Sequence, residues 1–275
     1  MCFVKAIASG ISAISVWSLQ FAILRNPKVR SNTFNLYLVF CLAPDAVYFL
    51  LMLVYNLLHL VDEIKYRATG EWWLSDRGFV ALVYIYKWAQ YFWLSGSLWM
   101  SFSVFVQIYK LLTANKRVKR YQPPTRKRVI RDSTIILIVS GVVAASITLL
   151  WWWVYENENE NEETWLDRAK KILLWTSYIP TVYIPTLLIT GMCIGVWWNK
   201  LIPRKNARYC SLTMFFARLL ASAYLMVIGA VSKQLITWYW PEEDVEKNAL
   251  SLSILNFLKA STKAPYMKKY MQFKN

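Results

Sequence analysis

Histidine occurs once in this 275-residue chain, cysteine four times and glycine eight times. Each scarcity removes a class of chemistry. A single imidazole, His59, cannot build a His-rich metal set, no nucleophile stands beside a neighbouring base, and no glycine-rich loop is available to cradle a phosphate. An enzyme is therefore not expected. Of the cysteines Cys2, Cys41, Cys193 and Cys210, only Cys2 lies in a segment that the charge pattern places outside, so no disulfide within one chain can staple the outer loops. No Asn-x-Ser/Thr acceptor falls in those outer segments. No internal repeat is visible, which weakens a transporter built from duplicated halves. Acids number 16 against 32 Lys and Arg, and the deficit is positional.

The chain is instead rich in apolar residues, 57% hydrophobic against 17% charged, and they come in long runs, as in a polytopic membrane protein. Crossing a bilayer takes ~20 apolar residues. Seven spans are read at 4–24, 35–61, 79–109, 133–155, 172–198, 208–240 and 245–264. The gaps after the first, third, fifth and seventh hold Arg25, Lys28 and Arg30, the nine basics from Lys110 to Arg131, Lys200 to Arg208, and the lysines from Lys259 to Lys274. Together these carry 21 of the 32 basic residues and one acid, Asp132. The other three gaps hold 14 of the 16 acids, including Asp62 and the Glu/Asn run from Glu156 to Glu163. Because cytoplasmic loops retain Lys and Arg, the expected orientation is N-terminus outside and C-terminus cytoplasmic, in a plasma-membrane protein.

Lipid leaves no water for open strand edges, and the spans lack the ~10-residue alternation of a barrel. The expected fold class is all-α, a single seven-transmembrane helix bundle over 1–275 with an amphipathic, membrane-parallel tail at 266–273. The first stretch has no small-residue cleavage site and is expected to stay as an anchor. Tryptophans at the span ends, Trp72 and Trp73, Trp151 to Trp153, Trp197 and Trp198, and Trp238 and Trp240, read as headgroup anchors. Pro44 in the second span and Pro180 and Pro185 in the fifth are expected to kink their helices. The net charge of +16 is confined to short juxtamembrane loops, which points to an anionic inner leaflet as partner and not to nucleic acid.

Ionisable groups inside the spans are few, and each is a functional candidate because its burial in lipid is costly. Asp45 is the only acid inside a span, ~15 Å along the second helix from Asn35 at 1.5 Å per residue. Ser251, Ser253 and Asn256 of the seventh span are its expected partners, either as oxygen ligands completing a sodium site or as hydrogen-bond partners of the carboxyl. Lys87 with Gln90 and Tyr91 in the third span and Lys233 in the sixth make an expected outward pocket for a small carboxylate or phosphate ligand, unless the two lysines simply snorkel to the headgroups. On the cytoplasmic side, Lys116, Arg117, Lys119, Arg120, Arg126, Lys127, Arg128, Arg204 and Lys205 are expected to meet anionic lipid or an acidic protein partner.

The run Arg25-Asn26-Pro27-Lys28-Val29-Arg30-Ser31-Asn32-Thr33-Phe34-Asn35, followed by Ala43-Pro44-Asp45, resembles the first helical hairpin of rhodopsin-like G-protein-coupled receptors. The resemblance covers about 35 residues and rests on a short basic loop, an Asn opening the second helix and an Asp ten residues later. It implies that Asp45 binds sodium and couples to the seventh helix, that Pro185 is the fifth-helix proline, that Ser253-x-x-Asn256 is part of the seventh-helix motif, and that 266–273 is the eighth helix. Val106-Gln107-Ile108-Tyr109 stands where that family carries Asp-Arg-Tyr, and Phe257 follows Asn256 where it carries Pro. The expected function is reception of an outward stimulus and its transmission to the cytoplasmic face, through a G protein or another acidic partner. A small-solute or ion transporter or channel, with Asp45, Lys87 and Lys233 along a polar path, is the alternative. Retinal on Lys259 is a third reading, disfavoured because the third span offers Lys87 where a Schiff base wants a carboxylate.

Overall fold

The computed structural model describes residues 2–69, 76–116, 122–156 and 163–201, together with helical residues between 217 and 232. Every regular element among them is helical. α1 (Cys2–Arg25) is followed by the single turn α2 (Pro27–Arg30), whose start is set by Pro27 and by Asn26 Oδ1, which accepts from the amides of Lys28 and Val29 at 3.1 and 3.4 Å. Asn32 Oδ1 accepts from Phe34 N at 3.0 Å and opens α3 (Thr33–Thr69). Asn35, expected to open this helix, lies inside it, and its Nδ2 donates to the Val29 carbonyl at 2.9 Å. α3 also runs past the expected limit of 61 and takes in Asp62, which is buried and not part of an outer loop.

α4 (Asp76–Lys116) and α5 (Arg126–Glu156) extend well into the basic segment that the sequence reads as a loop. Pro123 and Pro124 stop the chain from continuing as one helix, and Thr125 then starts α5: its hydroxyl accepts from Arg128 N at 3.4 Å and its carbonyl from Val129 N at 3.0 Å. Arg126, Lys127, Arg128 and Arg131 are consequently helical residues. The fifth expected span, 172–198, takes in the end of α6 (Glu163–Tyr178), a π turn (Ile179–Tyr183) and α7 (Ile184–Trp198). Pro180 and Pro185 cannot donate to the helical ladder, and the expected kink takes the form of this widened turn.

Among the described residues four helical stretches are long and apolar enough to cross a membrane: Ala6–Arg25, Thr33–Tyr66, Arg126–Val154 and Ile172–Trp198. The chain is thus a helical protein of membrane type, and the described residues supply four such helices against the expected seven. The seventh expected span lies outside the described residues, and so does most of the sixth. The third expected span is present as α4, a more polar helix with Lys87, Gln90 and four serines, which is not among these four. Its surroundings explain the polarity. Ala89 and every residue from Tyr91 to Leu98 are buried, and a helix enclosed by protein needs no continuous apolar surface.

The chain divides into two compact units, Met1–Val104 with Gln122–Leu173, and Phe105–Tyr121 with Leu174–Asn275. In the first, α5 buries the small residues Ser133, Ser140, Ala144 and Thr148, and at Gly141 it meets bulky residues of α4. Trp88 Nε1 donates to the Gly141 carbonyl at 3.2 Å, and the Phe92 ring lies 3.9 Å from where a Gly141 Cβ would stand. Small residues matter here because lipid supplies no hydrophobic drive for helix association, so close packing must. Outside this contact, Ile135, Ile138, Val139 and Val142 of α5 and Ile7, Ile11, Ile14 and Phe21 of α1 are exposed, as lipid-facing residues are.

In the second unit the Tyr109 ring lies 3.8 Å from the Cβ position of Gly195, and Lys116 Nζ donates to the Asn199 carbonyl. α7 ends with Lys200 in the left-handed region at φ 45°, where its amide and those of Asn199 and Leu201 return to the carbonyls of Trp197, Gly195 and Val196. Trp197 and Trp198 are exposed, as headgroup anchors are.

Candidate functional site

Pro44 and Asp45 lie buried in mid-α3, and Gly96 of α4 lets the two helices approach closely there. A Cβ on Gly96 would stand 2.8 Å from Pro44 Cγ. The approach brings two α4 side chains, four residues apart and so on one helix face, onto the carboxylate. Trp93 Nε1 donates to Asp45 Oδ1 at 2.5 Å and Ser97 Oγ donates to the same oxygen at 3.1 Å. The Ser97 carbonyl in turn accepts from the Ser101 hydroxyl at 2.7 Å.

An aromatic column covers the site on one side. The Trp93 ring stacks on Tyr48 with centroids 4.8 Å apart at 16°, Tyr48 meets Tyr86 at 6.4 Å, and Tyr86 stacks on Tyr55 at 4.8 Å. Tyr55 continues to His59 at 6.3 Å. Such contacts add about 0.5–1.5 kcal/mol per pair beyond burial, so the indole is held both by its N–H and by its face.

The chemistry of this donor set is specific. An indole N–H can only donate, so it competes with a cation for Oδ1, whereas the Ser97 hydroxyl can also turn its oxygen to a metal. The expected further ligands Ser251, Ser253 and Asn256 lie outside the described residues. No cluster of three or more His, Cys, Asp or Glu side chains arranged to hold a metal occurs among the described residues.

Of the expected ligand pocket, Lys87 and Tyr91 are brought together through Trp151. Lys87 Nζ lies 4.9 Å from the Trp151 ring centroid and 5.6 Å from that of Tyr84, while Trp151 Nε1 donates to Tyr91 Oη at 3.0 Å. Trp151 is buried, so it is a packing and cation–π partner and not the headgroup anchor expected of it. Gln90 is half-buried next to Tyr91, and Lys233 lies outside the described residues.

Among the basic candidates, Arg126, Lys127 and Arg128 are exposed on the first turn of α5, and Lys116 is the exposed donor to Asn199. Arg117, Lys119, Arg120, Arg204, Lys205 and Lys259 lie outside the described residues. No protein-family model matches the chain, and neither does any curated protein.

Sequence reasoning missed Trp93 and Ser97 as partners of Asp45. Ser95-Gly96-Ser97 in mid-span was the available signal, because consecutive small residues inside a membrane helix mark a place where another helix comes close.

Proposed function

We propose that the chain is a divergent, receptor-like seven-helix membrane protein, N-terminus outside and C-terminus cytoplasmic, in which Asp45 links α3 to α4 as a switchable contact. An outward stimulus changes helix packing, and the basic segments 110–131 and 200–208 present the altered inner face to a G protein or another acidic partner. The observation that carries the reading is the burial of Asp45 inside an apolar span with two α4 donors on one oxygen. An ionisable group at that depth is costly to insert, and its presence marks a working site. Sodium and the Trp93 N–H compete for the carboxylate, so ion binding loosens the α3–α4 contact and exchanges one arrangement for the other.

The test compares melting temperatures in sodium chloride and choline chloride at equal ionic strength, for the wild type and Asp45→Asn. Sodium is expected to stabilise the wild type by about 1.4 kcal/mol at ~10 times its Kd and to leave Asp45→Asn unchanged. Identical responses of the two proteins would remove sodium from the mechanism. Orientation is tested separately, by protease protection of tags placed ahead of Met1 and after Asn275 in intact cells; both tags on one side would exclude an odd number of spans.

The polarity of α4 favours one second reading, a small-solute or ion transporter in which Asp45, Ser97 and Lys87 lie along a path. Flux of sodium or a co-substrate into proteoliposomes separates the two, since a receptor shifts its melting temperature without net transport.

A further inference from the structure

α5 begins at Arg126, not at 133, and this places four cations, Arg126, Lys127, Arg128 and Arg131, on a helix with their side chains exposed. Arg25, Lys28 and Arg30 are likewise exposed on the turn between α1 and α3, which is fixed by the Asn26 cap and by the bond from Asn35 to the Val29 carbonyl. Both groups sit at one end of the first unit, because Leu36 and Tyr37 near the start of α3 pack with Val129 of the first α5 turn in one buried cluster with Met100. The described acid at that rim is Asp132, and it already bridges Arg128 at 3.5 Å and Arg131 at 3.1 Å.

The cationic rim adjoins an exposed apolar collar without a break. Phe21 and Leu24 lie just before Arg25, and Ile135 and Ile138 begin one turn after Arg131, about 6 Å along the helix. A soluble anion has no use for that collar, and an acidic protein would have to seat on lipid-facing residues. A lipid uses both halves, acyl chains on the collar and headgroup on the rim. Five of the seven cations are arginines, whose planar fork matches phosphate oxygens in pairs and favours phosphate esters over the carboxylate of a serine headgroup.

We propose that this rim and collar form a binding site for a multiply phosphorylated inositol lipid of the cytoplasmic leaflet. The leaflet assignment rests on the orientation proposed above, whereas the lipid preference does not, because a nanodisc offers both leaflets.

The experiment uses the full chain in phosphatidylcholine nanodiscs doped with a fluorescent bisphosphorylated phosphoinositide, with unlabelled phosphoinositide or phosphatidylserine as competitor at matched total charge. The expected result is saturable binding in which the phosphoinositide competes at least ~10-fold better than phosphatidylserine. Each charge removed in Lys28→Gln, Arg30→Gln, Arg126→Gln and Lys127→Gln is expected to weaken binding roughly fivefold, the equivalent of ~1 kcal/mol per basic residue at a membrane surface. Melting temperatures within about 2 °C of the wild type establish that the variants are folded; a variant that melts lower is replaced by Lys substitution at Arg30 and Arg126, which keeps charge and removes the fork. Equal competition by phosphatidylserine overturns the site in favour of a diffuse electrostatic clamp. Equally tight binding of soluble inositol polyphosphate to the detergent-solubilised chain overturns the lipid, and an acidic peptide that displaces the phosphoinositide more tightly than its own unlabelled form overturns it in favour of a protein partner.

Discussion

Replacing Trp93 by Phe removes the N–H that reaches Asp45 Oδ1 while keeping an aromatic face against Tyr48. The donor is lost from a buried acceptor, for which the cost is about 1.5–3 kcal/mol when the group is a carboxylate, and the smaller ring adds on the order of 1 kcal/mol of lost packing. A total of roughly 3 kcal/mol corresponds to a fall of about 6–12 °C in melting temperature for a chain of this size. Packing loss alone gives a fall too, so a double-mutant cycle with Asp45→Leu decides. If the hydrogen bond exists, the two substitutions are less than additive by about 1–3 kcal/mol, because either one removes the same interaction. Melting in a mild detergent, followed by intrinsic fluorescence of the remaining tryptophans, reads the four corners. Simple additivity would refute the bond and with it the proposed competition between indole and cation. Where the competition holds, Trp93→Phe also increases the stabilisation by sodium, since the ion no longer has to displace a donor.

Gly96→Ala drives a Cβ to 2.8 Å from Pro44 Cγ and is expected to cost about 1–3 kcal/mol by overpacking, whereas Gly191→Ala meets nothing within 4 Å and should be neutral or slightly stabilising; equal effects at the two sites would contradict the close approach of α3 and α4. Lys200→Gly relieves a left-handed backbone at φ 45° and is expected to raise stability by about 1 kcal/mol, an expectation that a lower melting temperature would overturn. Thr186 Oγ1 is buried and has no hydrogen-bond partner among the described residues, so Thr186→Val should stabilise by about 1 kcal/mol; a loss of stability instead would reveal a partner such as an ordered water beside the π turn.

The apolar helices were legible because length and hydropathy are local properties. The fifth expected span, 172–198, coincides with the apolar stretch Ile172–Trp198. Helix ends were less so, since α5 starts where Thr125 caps it and not where the hydrophobic run begins. Asp45 stood out as an isolated acid, but its partners did not. Trp93 and Ser97 lie on another helix, 48 and 52 residues away, and which face of α4 turns toward Pro44 is decided by packing. The reading of Trp151 failed for the same reason: an indole near a span end is an anchor if it faces lipid and a structural partner if it faces α4, and periodicity alone does not say which.

The distance along the chain between Asp45 and its donors also has a consequence for biosynthesis. Synthesis at about 5–20 residues per second delivers Trp93, 48 residues later, only after several seconds. Until then the Asp45 carboxyl of α3 is unmatched by α4. A central acid costs ~3 kcal/mol on the insertion scale, which the Leu, Val and Phe residues of α3, each favourable by about 0.3–0.6 kcal/mol, more than offset. Insertion of α3 therefore does not wait for α4, but α4, too polar to enter lipid comfortably alone, gains a reason to enter once Asp45 is there to receive it. The order of the helices in the chain thus supplies the acceptor before the donors, so that the more polar helix is drawn in by the one already inserted.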